Sequence, residues 1–161
     1  MSRKKCRRKI WLPINTIAHA IEGARITDEA LINDVRLREL TSIEALRTGS
    51  GGLNEWQSVV DMLNVCETMA QSGIGPEALE ACQRAQSELM GAAARFEKTG
   101  RMLLSGLGLQ AVRDVFEYHD LQRQSISRRQ YAEAIEKTLK AIKHKHPGVV
   151  VMAESLEAAC R

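Results

Sequence analysis

The sequence predicts an all-α fold: a bundle of four to five long antiparallel helices preceded by a short N-terminal helix. Three observations carry that expectation. Helix-favouring Ala, Leu, Glu, Arg and Gln are frequent, whereas Trp, Tyr and Phe occur only twice each, so strand-forming runs are scarce. Apolar residues return at three- and four-residue spacing in segment after segment. Between these segments lie short stretches rich in Gly, Ser or Pro, of the kind that joins antiparallel neighbours. The 161 residues, 44% hydrophobic and 27% charged, suffice for one cored domain without disulfide or metal staples.

Charge divides the chain. Arg3, Lys4, Lys5, Arg7, Arg8 and Lys9 make six of the first nine residues basic, and the remainder carries 17 basic against 20 acidic residues. Residues 1–13, ending at Pro13, read as a flexible basic arm. Residues 14–147 read as the helical bundle domain, and residues 148–161 as a C-terminal tail whose structure the pattern leaves open.

The elements follow in order. Ile14, Ile17, Ala18 and Ile21 share a face of a short helix ending at Gly23. Thr27 is a good N-cap, with Asp28 and Glu29 in a first turn that favours anions, for a helix running to about Leu46. Its face is Leu31, Val35, Ile43 and Leu46, edged by Ile32 and Leu40. The loop Thr48–Gly52 ends it. A third helix, capped by Asn54, runs to Ser72 on Trp56, Val60, Leu63 and Ala70, with Val59, Cys66 and Met69 beside them. A fourth, over about 76–99, has a seam of Ala78, Cys82, Ala85, Leu89, Ala92 and Phe96, small enough for a neighbour to approach closely. That seam packs either within one chain or between two copies in a homodimer. A fifth, from about Leu107 to Gln124, uses Leu109, Val112, Val115, Phe116 and His119. The sixth opens with the capping box Ser127-Arg128-Arg129-Gln130 and continues on Tyr131, Ala132, Ile135, Leu139 and Ile142 until Pro147-Gly148. Val149 to Met152 reads as a lone strand with nothing to pair with.

Chemistry is sparse. There is no G-x-S-x-G, no Walker loop and no H-E-x-x-H, so the chain is read as a non-enzyme with neither cofactor nor metal. Cys6, Cys66, Cys82 and Cys160 form no C-x-x-C pair and read as reduced thiols of a cytoplasmic protein. The longest apolar run, Val149 to Ala153, is far short of the ~20 residues that span a membrane. Glu117, His119 and Asp120 are the best acid–base cluster, but adjacent helical residues point apart and His119 reads first as a core histidine. His144 and His146 read as a solvated helix end rather than a metal site. The arm has the clearest functional slant: its six cations can track phosphates, Trp11 can stack on a base, and Arg123, Arg128 and Arg129 form a second basic cluster.

Three stretches carry a resemblance. They are Arg36-Leu37-Arg38-Glu39-Leu40 through Leu46, Asp61-Met62-Leu63-Asn64 through Gly75, and Gly100-Arg101 through Gly106 followed by Tyr118-His119-Asp120-Leu121-Gln122. Together they resemble small helical accessory proteins encoded by phages, prophages and plasmids of proteobacteria, over most of residues 28–145. The resemblance implies a mobile-element protein in a bacterial cytoplasm and carries over no functional residue. The leading expectation is a non-enzymatic protein that binds a host or phage protein, as a regulator or inhibitor of a host system such as a defence, with exposed apolar residues such as Leu37 at the contact. The alternative is a nucleic-acid-binding accessory protein that uses the basic arm.

Overall fold

The computed structural model describes residues 29–146 together with Gly23, Val149 and Val150. The basic arm with Trp11, the expected helix over 14–23 apart from Gly23 (itself helical), the Thr27 cap and the tail beyond Val150 lie outside the described residues. Those residues hold five helices: α1 (Glu29–Thr48), α2 (Leu53–Gln71), α3 (Ala78–Thr99), α4 (Gly106–Ser125) and α5 (Arg128–Lys143). None of them is long and apolar enough to cross a membrane.

α2 is the centre. It packs against every other helix, and α3 also packs on α4, and α1 on α4. A helix with neighbours on several sides cannot keep a polar face, and α2 buries Met62, Asn64 and Glu67 in addition to its expected apolar stripe. The α3 seam packs within the chain: Ala78, Cys82, Ala85, Leu89 and Ala92 are all buried in one core cluster. Small side chains there let α3 lie close to α2. Trp56 Nε1 donates to the Leu89 carbonyl at 3.0 Å, and the Cys66 and Cys82 sulfurs meet at 3.7 Å. The hydrogen bond with Cys82, together with burial, pushes the Cys66 thiol well above its ordinary range, so it stays protonated and unreactive.

The helix ends are set locally. α2 begins one residue before the expected cap: Gly52 takes the cap position and its N–H donates to the Glu55 carboxylate at 2.7 Å. At its other end Gly73 adopts φ +87°, Ile74 N–H donates to the Met69 carbonyl and Gly73 N–H to the Ala70 carbonyl. That is a Schellman closure, and Ile74 packs against the cluster of Met69, Ile126 and Ala134. α4 starts at a cap that the sequence reading missed, Ser105, whose hydroxyl accepts from Gly108 N–H at 2.9 Å. α5 has the expected box: Ser127 accepts from Gln130 N–H, and the Gln130 side chain accepts from Ser127 N–H.

Two expectations need correction. The stripe of α5 is displaced: Ala134 and Thr138 are its buried positions, whereas Ala132, Ile135 and Leu139 are exposed. Thr138 is buried because its hydroxyl is satisfied, lying within hydrogen-bond distance of the Ala134 carbonyl at 2.9 Å and of Thr68 Oγ1 at 2.8 Å. The lone strand expected from Val149 onward is not formed at the two described residues, Val149 and Val150. Val150 is buried in the main core, and its backbone is read by one side chain, with Asn64 Nδ2 donating to its carbonyl at 2.8 Å and its N–H donating to Asn64 Oδ1 at 3.1 Å. Val150 is thus bonded to a side chain and is in no strand.

Asn64→Ala would strand both buried backbone groups of Val150. We expect a loss of about 2–4 kcal/mol in urea unfolding at constant m-value. An unchanged midpoint would show that the Val150 contact contributes nothing to the fold.

Candidate functional site

The site grows from a charged pair placed where apolar residues belong. Glu39 lies four residues after Val35 on the inward face of α1, and Arg123 four residues after His119 on the inward face of α4. Their side chains meet as a fork, with Arg123 Nη1 and Nη2 donating to the two Glu39 oxygens at 2.9 Å each. Arg123 is 3% exposed. Asp120 stands beside it, 3.5 Å from Arg123 Nη2, 3.2 Å from Arg36 Nε, and accepting from Gln124. Burial raises the Glu39 carboxyl above its usual value, opposed by the hydrogen bonds and charge of Arg123.

His119 completes the cluster at 1% exposure. Its Nε2 is 3.9 Å from Glu39 Oε1, too long for a hydrogen bond, and its Nδ1 has no hydrogen-bond partner among the described residues. Burial lowers the imidazole pKa to about 3, Arg123 pushes the same way, and Gln122 opposes. The ring is therefore neutral at physiological pH. Gln122 is itself engaged, donating to the carbonyls of Cys66 and Ile74, while its Oε1 has no partner among the described residues.

This cluster forms one end of a groove. α1 and α5 both pack on α2, and between them a cavity of about 580 Å³ is lined by Val35, Glu39, Asp61, Met62, His119, Tyr131, Ile135 and Leu139 among others. The floor is the outer side of α2 from Asn54 to Val65, about 17 Å at the helical rise per residue. The α5 wall is apolar, with Leu139 60% exposed. Asp61, accepting from Gln57, places a carboxyl on the floor that partial burial holds above its ordinary value.

The residues singled out in the sequence fall differently. Arg123 belongs inside the fold, paired with Glu39, so the surface cluster proposed for nucleic acid loses it. Arg128 and Arg129 are exposed, Arg129 with its Nε on Glu133 at 2.9 Å. Arg3, Lys4, Lys5, Arg7, Arg8, Lys9 and Trp11 lie outside the described residues. Glu117 is exposed, away from the buried His119, so the structure does not bring Glu117, His119 and Asp120 together. Leu37 is exposed, at 65%. His144 and His146 are exposed at the end of α5. Glu39 was not singled out. A carboxylate interrupting the Val35–Ile43–Leu46 face, matched by Arg123 on the Val112–Val115–His119 face, was the available signal.

Removing one partner of a buried pair leaves the other charge uncompensated. Arg123→Met should cost about 3–5 kcal/mol in denaturant unfolding, and the double variant Glu39→Leu/Arg123→Met should recover most of it. Additive losses would contradict the pairing. The lowered His119 pKa makes the unfolded chain bind the proton first. Its contribution to stability is complete above about pH 6.5 and falls as pH drops toward 3. In His119→Gln the fall between those limits should be smaller by several kcal/mol; Glu39, Asp120 and Tyr131 around the ring are common to both proteins. Parallel curves would refute the assignment.

No protein-family model matches the chain significantly, and neither does any curated protein or solved structure.

Proposed function

We propose that this is a non-enzymatic interaction protein whose α1–α5 groove receives an amphipathic helix of a protein partner. The observation that carries the reading is the apolar wall of Ile135 and Leu139, left exposed beside a groove three helical turns long. Water-facing aliphatic side chains in a concave, elongated site are what a helix-in-groove interface needs, with anchors at i, i+3/i+4 and i+7. The floor carboxyl of Asp61 suits a partner helix with a Lys or Arg between its anchors. In this reading the short connections set the long helices antiparallel around α2, and the groove is a helix position that the chain's described residues leave open. The context implied by the resemblance makes the partner a host or phage protein in a bacterial cytoplasm, and the activity regulation or inhibition of a host system.

The nucleic-acid reading rests on the arm and on the exposed Arg128 and Arg129. The two readings separate cleanly. With a photo-crosslinking residue at position 135, the protein should form a discrete adduct with one cellular protein. Leu139→Asp should abolish that adduct without changing thermal stability, and deletion of residues 1–9 should leave it intact. Salt-sensitive binding to a DNA duplex, lost with residues 1–9, together with no adduct, would reverse the assignment.

A further inference from the structure

The His119 end of the groove has a more specific chemistry than its wall. Arg123 takes one lone-pair direction on each Glu39 oxygen, so Oε1 can still accept once more. Nε2 of His119 lies 3.9 Å away, and no hydrogen bond connects the two. Two acceptors at that separation cannot satisfy one another. One nitrogen carrying two hydrogens, about 2.9 Å from each, would satisfy both. The neutral ring supplies the acceptor on Nε2 when its proton is on Nδ1, toward the Gln122 side chain, which acts on the ring as an acceptor would.

Charge selects among donors of that kind. Glu39 and Asp120 are matched by Arg36 and Arg123 within the cluster, which is neutral as it stands. An ammonium would bury an uncompensated cation beside Arg123, and a carboxylate would face Glu39. A primary carboxamide avoids both, because a single neutral nitrogen offers two N–H groups. Its carbonyl needs a donor, and Tyr131 lines the same cavity. Burial raises the Tyr131 phenol, which keeps its hydrogen, and Arg123 opposes that shift.

We propose that this end of the groove is a carboxamide site, in which an Asn or Gln side chain of the partner helix places its NH2 between His119 Nε2 and Glu39 Oε1 and its carbonyl on the Tyr131 hydroxyl. The proposal rests on the helix-in-groove reading and specifies the partner: apolar anchors for Ile135 and Leu139, followed by an amide residue at the His119 end.

The test uses the full chain, isotopically labelled, and four small probes followed by backbone amide shifts. The probes are benzamide, acetophenone (the same shape without N–H donors), benzoate and benzamidinium. Benzamide should bind with a dissociation constant in the millimolar range, about 4 kcal/mol, and shift the amides around His119 and Tyr131. Acetophenone, benzoate and benzamidinium should each bind at least ten-fold more weakly, about 1.4 kcal/mol. Tyr131→Phe should weaken benzamide several-fold, and His119→Phe should abolish its preference over acetophenone. Equal binding of benzamide and acetophenone would show an apolar cavity only. Tighter binding of either ion, or no shift with benzamide up to about 20 mM, would likewise overturn the carboxamide site. The crosslinked adduct at position 135 is read separately: an adduct without benzamide binding sinks this proposal alone, whereas loss of the adduct sinks the groove reading beneath it.

Discussion

A carboxylate and a guanidinium buried on facing helices constrain the rest of this molecule. Glu39 and Arg123 are 84 residues apart in sequence, and each occupies an inward position of its own helix. Either charge alone in that place would cost several kcal/mol, so the two helices are compatible only in the register that joins them. The fork is directional as well as attractive, because two parallel N–H···O bonds fix the angle of approach. Asp120 and Arg36 extend the same network along α4 and α1.

The consequences spread from there. α1 is held against α4, and both lie on α2, which therefore has neighbours on most of its circumference. α5 reaches α2 through Ala134, packed in one cluster with Met69, and through the hydroxyl pair of Thr138 with Thr68. Between α1 and α5 lies the groove, apolar along the α5 wall and polar where it meets His119. The site is a by-product of how the charged pair is accommodated: the pole is polar because Glu39 is there, and Glu39 is tolerated because Arg123 is.

What was legible in the sequence is what is decided locally. The α3 seam, the inner face of α2 and the Ser127–Gln130 box depend on spacings of three and four residues within one segment, and each was found where expected. What was not legible depends on partners from other segments. Thr138 is core only because Thr68 and the Ala134 carbonyl satisfy it, so a polar residue counted as surface became the buried line of α5, and larger apolar residues were left at the rim. Val150 is ordered by an amide 86 residues away. Arg123 looked like one of three surface cations because its counter-ion could not be identified from spacing along α4. Gly52 displaced Asn54 as the cap because Glu55 reaches back to it, a choice between two short-range options that spacing alone does not rank.

The fork itself can be observed. In a rigid bidentate pair the guanidinium Nη groups neither rotate nor exchange freely, whereas the exposed Arg38, whose side chain is 75% accessible, serves as the internal contrast. Nitrogen-detected NMR of the arginine side chains at neutral pH, with and without added salt, measures this directly. Arg123 should give resolved, slowly exchanging Nη resonances that salt leaves unchanged, because a buried pair is poorly screened. Averaged, salt-sensitive Arg123 signals like those of Arg38 would mean that the pair is solvated, and that the register and the polar end of the groove built on it are wrong.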